Sequence, residues 1–182
     1  MQDKVISFIK SRIPNLAENW SKEILHLDFM DHYKNLSEEE LKKRNNAVYK
    51  NLIEWFESGA SNATAEQYFE GLGAKRFKEG FALTEINYAF FLDKKVLFKE
   101  INDDIEFTKE LGSAEAVNLI CTLGNFFDLG NFYIIRGYNS AMIEKLENSN
   151  KFSSGELDNL MFKGSLDEDD LDNDDIIWRH VY

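Results

Sequence analysis

The chain has 182 residues, 43% of them apolar, a formal net charge of -12, one proline and one cysteine. That apolar share suits a globular core rather than a disordered chain, and the negative charge speaks against nucleic acid and anionic membrane as partners, since both call for concentrated Lys and Arg. The lone Cys121 rules out an internal disulfide and fits a reducing, cytoplasmic setting, and no stretch approaches the ~20 apolar residues of a spanning helix or reads as a signal peptide.

In chain order, a first helix is predicted over residues 3 to 13, where Pro14 interrupts it. A second covers residues 15 to 30, with Leu16, Trp20, Ile24 and Leu27 on one face. Ser37 and Glu40 then form a capping box. Leu41, Val48, Leu52, Trp55 and Phe56 make the stripe of the helix that follows, and Gly59 is its left-handed stop. A shorter helix runs over residues 65 to 78 and ends at Gly80. Thr84 caps the next one. Ile86, Tyr88, Ala89, Phe90, Phe91 and Leu92 spread round most of its circumference, the pattern of a helix buried on several sides. Val96, Leu97, Ile101 and Ile105 continue the stripe.

A long last helix, residues 113 to 148, carries Leu119, Phe126, Phe127, Phe132, Tyr133, Ile135, Tyr138 and Met142. No segment alternates with period two. The expectation is an all-α, single-domain helical bundle over residues 1 to 150, followed by an acidic, flexible tail over residues 151 to 182. That tail holds nine acids and three bases, half of the net charge, and closes on "IIWRHVY".

Candidate chemistry is sparse. Glu23 and His26 form one Glu-x-x-His, whereas a di-iron bundle needs two plus two further Glu. No histidine lies between His32 and His180 to serve as a haem ligand. Asp170, Asp172 and Asp174 have calcium-loop spacing, but Asp175 replaces the glycine and Val181 stands at position 12. The reading is therefore no metal and no cofactor. Cys121, among Leu119, Ile120 and Leu123, reads as a buried structural thiol. Asp128 falls on an apolar face and needs a partner, with Arg76 and Arg136 as candidates. Gly130 and Gly137, seven apart, imply close approach of another helix, either internal or from a second subunit in a homodimer. No nucleophile–base set, phosphate loop or serine elbow is present, so no enzyme is expected.

The segment "GAKRFKEGFALTEINYAFFLDKK" carries a pattern: Gly73, Arg76, then Gly80, Phe81, Leu83, Glu85 and Ile86, an aromatic run, and the basic pair Lys94 and Lys95. With "FFDLGNFYIIRGY" at residues 126 to 138, Trp20 and the "SEEEL" helix start, it resembles the RsbRD-type N-terminal sensor domain of bacterial stressosome co-antagonists, over residues 5 to 147. The resemblance implies an all-α bundle without haem, with a non-haem globin-like arrangement as one form of it, acting in stress signalling as a sensor or docking module. In those co-antagonists a phosphorylatable domain follows; here the acidic tail does, which suggests a stand-alone adaptor.

Two functions are thus weighed. One is a non-enzymatic regulatory sensor or adaptor acting through protein contacts, with Ile176, Ile177, Trp178, Val181 and Tyr182 docking on a partner that offers a basic or apolar groove. The other is a small-ligand carrier or all-α enzyme whose buried aromatic pocket is built from Arg76, Tyr88, Phe91, Asp128 and Tyr133. Glu85 is expected to cap its helix or to pair with Arg76.

Overall fold

The computed structural model describes residues 2–149. Among these it shows six helices and no strand, so the chain is all-α, as the periodicity requires. The acidic tail and its aromatic end lie outside the described residues. The first compact unit is Met1–Ser140, and the site described below lies within it.

Helix α1 (Gln2–Leu25) runs straight through Pro14, so the predicted interruption does not occur. Proline removes one helical hydrogen bond and crowds the preceding turn. Both flanking segments, however, drive apolar residues into one core: Val5, Ile6, Phe8 and Ile9 before it, Leu16, Trp20 and Ile24 after it. Burial on that scale, roughly 1.5 to 3 kcal/mol per large side chain, outweighs a local defect of about 3 kcal/mol. The helix also stops before residue 30, and the four-residue α2 (Asp31–Lys34) follows.

Helix α3 (Glu38–Glu57) starts at Ser37, whose Oγ accepts from the Glu40 N–H at 3.2 Å. Half of the predicted capping box is therefore made; the Glu40 carboxylate takes Arg44 Nε at 3.1 Å. Gly59 has φ +75° and ends the helix as predicted, and Ala60 shares the left-handed conformation at φ 62°. Helix α4 (Asn62–Lys78) opens one turn earlier than predicted. Helix α5 (Leu83–Asp103) begins after Ala82, with no side-chain cap, so Thr84 does not cap it.

Helix α6 (Ile105–Glu147) breaks at Gly112, φ 73° and ψ 163°. Its longer arm therefore begins at residue 113, where the sequence places it. Helix α1 packs on α3 and α5. An aromatic seam ties α4, α5 and α6 together: Phe69 meets Phe90 at 5.0 Å and Phe126 at 5.2 Å, and Phe90 meets Phe127 at 5.1 Å.

The glycines explain how α4 and α6 come so close. A Cβ on Gly73 would lie 2.1 Å from the Ile134 carbonyl oxygen, and one on Gly137 would lie 2.1 Å from that of Glu70. At Gly130 a Cβ would meet the Phe90 and Phe69 rings at 2.7 and 2.8 Å. The approach implied by Gly130 and Gly137 is therefore made inside this chain. That face is occupied, and it is not the homodimer seam considered from sequence.

Helix α5 is not buried all round. Ile86, Ala89, Phe90 and Leu92 are buried, yet Phe91 is 52% exposed. Tyr88 is half-buried against the core, its ring between Phe29 at 5.0 Å and Phe91 at 5.5 Å. No helix of the described residues is long and apolar enough to cross a membrane.

Candidate ligand site

Helix α4 ends in a tight turn that positions the site. Gly80 takes φ +86°, its N–H reaches the Phe77 carbonyl at 3.0 Å, and the Phe81 N–H reaches back to Arg76 at 3.1 Å. This is the Schellman pattern, in which the residue after the glycine folds back on the last turn. Here that residue is Phe81. Its ring lies under two guanidiniums, Arg44 at 5.1 Å and Arg76 at 5.6 Å, a contact that favours a cation on an aromatic face. Tyr138 Oη donates to the Phe81 carbonyl at 2.9 Å and fixes the corner.

The two arginines come from different helices and converge on one acid. Arg44 Nη1 and Arg76 Nη1 both reach Glu79 Oε2 at 2.8 Å. Burial pushes the Glu79 carboxyl up, but the Arg44 hydrogen bond and both guanidinium charges outweigh it and hold the group below its ordinary range. The Arg44 and Arg76 side chains are 12% and 7% exposed. Arg76 Nε is buried and has no hydrogen-bond partner.

Both arginines line a cleft of 420 Å³ walled chiefly by α3, α4 and α5, with Trp20 of α1, Tyr33 of α2 and Ile134 of α6, within the ~300 to 1,000 Å³ usual for small-molecule sites. Lys43, Lys75 and Glu40 stand with them along its wall, and Trp20, Ile86 and Phe90 give it an apolar side. Tyr33 and Tyr68 add phenols. Burial pushes the Tyr33 hydroxyl up to about 12, with the Arg76 charge pulling the other way, and burial likewise raises Tyr68. Gly71 also lines the cleft, and a Cβ there would have nothing within 4 Å.

One further wall residue is Asp93, which is 2% exposed. Asn45 Nδ2 donates to its Oδ1 at 2.6 Å, and Tyr49 Oη donates to its backbone carbonyl at 2.9 Å. Desolvation drives the Asp93 carboxyl well above the ordinary range, and the single Asn45 hydrogen bond opposes this only in part. Trp20 Nε1 donates to the Ala89 carbonyl at 2.9 Å, one turn earlier on α5.

Of the five residues expected to form a ligand pocket, only Arg76 lines this cleft. Phe91 is exposed on α5, and Tyr88 is half-buried against the core without lining the cleft. Asp128 points outward and pairs with Lys94 at 2.9 Å, its side chain 75% exposed. Arg136 is claimed by Glu66 and Glu70 of α4 and lies over the Tyr133 ring at 4.9 Å. Glu85 does not pair with Arg76: it takes the His32 ring Nδ1 at 2.8 Å and the His32 N–H at 3.2 Å. Cys121 is exposed rather than buried. Glu23 pairs with Lys95 at 3.1 Å, and the His26 ring meets the Lys22 carbonyl at 2.6 Å. Among the described residues no group of three or more His, Cys, Asp or Glu is placed to hold a metal ion. The docking residues Ile176, Ile177, Trp178, Val181 and Tyr182 lie outside the described residues.

Arg44, Asn45, Glu79 and Asp93 are the site residues that sequence reasoning missed. A signal for Asp93 was present: Ile86, Ala89, Phe90 and Asp93 follow the i, i+3, i+4, i+7 spacing of one helical face. No protein-family model matches the chain, and neither a curated protein nor a solved structure does.

Proposed function

We propose that the protein is a non-enzymatic regulatory module, a sensor of the RsbRD kind, whose signal is a small molecule seated in the Arg44–Arg76 cleft. The observation that carries this reading is a pair of largely buried arginines in the wall of an open 420 Å³ cleft. A guanidinium carries five N–H donors, and Glu79 takes Nη1 of each arginine, which leaves other donors of the pair for a ligand oxygen. Of the Gly-x-x-Arg and Gly-Phe elements that carry the family resemblance, Arg76 lines the cleft, and Gly80 and Phe81 form the turn that holds its guanidinium. In this reading the setting is cytoplasmic, and the response passes to a partner protein through the acidic C-terminal segment with its Trp178 and Tyr182.

Gly71→Leu supplies the test, because the new side chain enters open space in the cleft. Wild type and variant are incubated with a total small-molecule extract of bacterial cells, desalted and compared by native mass spectrometry. Wild type is expected to retain a dissociable small-molecule adduct that Gly71→Leu lacks. Wild type at its bare mass, or the same adduct on both proteins, overturns the reading.

A further inference from the structure

The charge balance at the cleft runs against that of the whole chain. Lys43, Arg44, Lys75 and Arg76 gather on one wall of a protein whose net charge is -12. Two acids answer them. Glu40 pairs with Arg44 and, at 3.8 Å, with Lys43. Glu79 takes Arg44, Arg76 and, at 3.9 Å, Lys75. Asp93, the other acid in the lining, is held towards its neutral form by burial. Four cations against two carboxylates leave the wall positive.

The two kinds of cation differ in what they offer. Lys43 and Lys75 stand in water, their side chains 78% and 68% exposed, and contribute a screened attraction at the entrance. Arg44 and Arg76 are fixed. The Phe81 ring lies beneath both guanidiniums, and Glu79, which is not part of the cleft lining, accepts from both. A guanidinium already oriented in this way loses little further freedom on meeting a planar or tetrahedral anion. Trp20, Ile86, Ala89 and Phe90 add an apolar part to the lining, beside the buried Asp93.

Resting on the reading that this cleft is the ligand seat, we propose that its ligand is a small amphipathic organic acid. Its single anionic head lies at Arg44 and Arg76, and its apolar body lies along Trp20, Ile86 and Phe90. Glu79 is then a positioning residue: it holds the two arginines together beside the ligand and partly neutralises them, which limits the head to one group. A carboxylate and a phosphate monoester share this chemistry, and the experiment separates them.

Isothermal titration at low ionic strength, below micelle-forming concentrations, compares decanoate, decyl phosphate, decanol and inorganic phosphate on the full chain. Decanoate or decyl phosphate is expected to bind wild type at least tenfold more tightly than decanol, and the tighter of the two identifies the head. Inorganic phosphate, lacking the body, is expected to bind at least tenfold more weakly than either. Arg76→Gln should weaken the acid at least tenfold and leave decanol unchanged. Arg44→Gln gives the same readout if Arg76→Gln fails to fold, and Gly71→Leu should abolish all binding. Equal affinity for decanol and the acids, or acid binding that survives both arginine variants, overturns the amphipathic-acid assignment. If decanol still binds and Gly71→Leu still blocks it, the cleft remains a ligand seat and only the ligand class is wrong. If no member of the panel binds, the assignment fails, and the extract experiment alone decides whether the cleft takes a ligand of another class.

Discussion

Arg44 of α3 and Arg76 of α4 share a single oxygen atom: Glu79 Oε2 accepts from the Nη1 of each at 2.8 Å. Two like charges are brought together by one carboxylate and one aromatic ring. The arrangement follows from the turn at Gly80, which places Glu79 and Phe81 on either side of a residue in the left-handed conformation. Removing the acid should therefore loosen both arginines at once.

Glu79→Gln is expected to lower stability by about 1 to 2 kcal/mol at neutral pH, the scale of a charge-assisted hydrogen bond at a partly exposed site. The folded-state pKa of Glu79 is lowered, so its contribution is present above the unfolded pKa of about 4.3 and is lost as pH falls through the folded value. Urea melts of wild type and variant should differ at pH 7 and converge in acid.

Asp93 should behave in the opposite sense. Its folded pKa is raised, so the folded state holds a proton that the unfolded chain gives up above about pH 3.9. Stability is thus lost as pH rises from there towards the folded pKa, by at most about 1.4 kcal/mol per pH unit. Asp93→Asn removes this dependence. The variant should gain on wild type steadily from pH 4 upward in thermal melts, and a constant difference across that range would show Asp93 ionised in the folded state.

Three glycines on the facing helices should respond with different signs. Gly73→Ala and Gly137→Ala each drive a Cβ to 2.1 Å from a backbone oxygen, and overpacking of that kind costs about 1 to 3 kcal/mol or more. Gly71→Ala meets nothing and should gain up to ~1 kcal/mol from helix propensity. Denaturant midpoints measure all three.

Cys121 is exposed on α6. Ellman's reagent should therefore titrate one thiol per chain in native buffer, with no increase in the final yield in denaturant. A thiol released only on unfolding would place Cys121 back in the core.

Much of the fold was legible because helical periodicity and glycine stops are local signals. Ser37, Gly59 and Gly80 marked boundaries that the structure keeps. Pro14 misled, because the apolar residues on both sides of it pack on one core and override a local defect. Thr84 misled because a good capping residue is only an option for the backbone, and Ala82 sits where the chain turns. The site was harder to read. Its members come from all six helices, from Trp20 of α1 to Ile134 of α6, and sequence alone does not say which helices face one another. Phe91 and Asp128 drew attention for their chemistry, yet each lies on the outer side of its helix. Asp93 was passed over because it begins a charged run, although it falls in phase with Ile86, Ala89 and Phe90.

The central claim is that the Arg44–Arg76 cleft receives the acidic head of a small molecule. The most direct measurement is nuclear magnetic resonance of labelled wild-type protein during titration with decanoate, following the Arg76 Nε–H, the Trp20 indole N–H and the Gly71 amide. The account predicts a saturable downfield shift of the Arg76 Nε–H, with accompanying shifts at Trp20 and Gly71, all absent in Gly71→Leu. Saturable shifts confined to the Tyr88–Phe91 face, or an Arg76 signal that does not move, would contradict it.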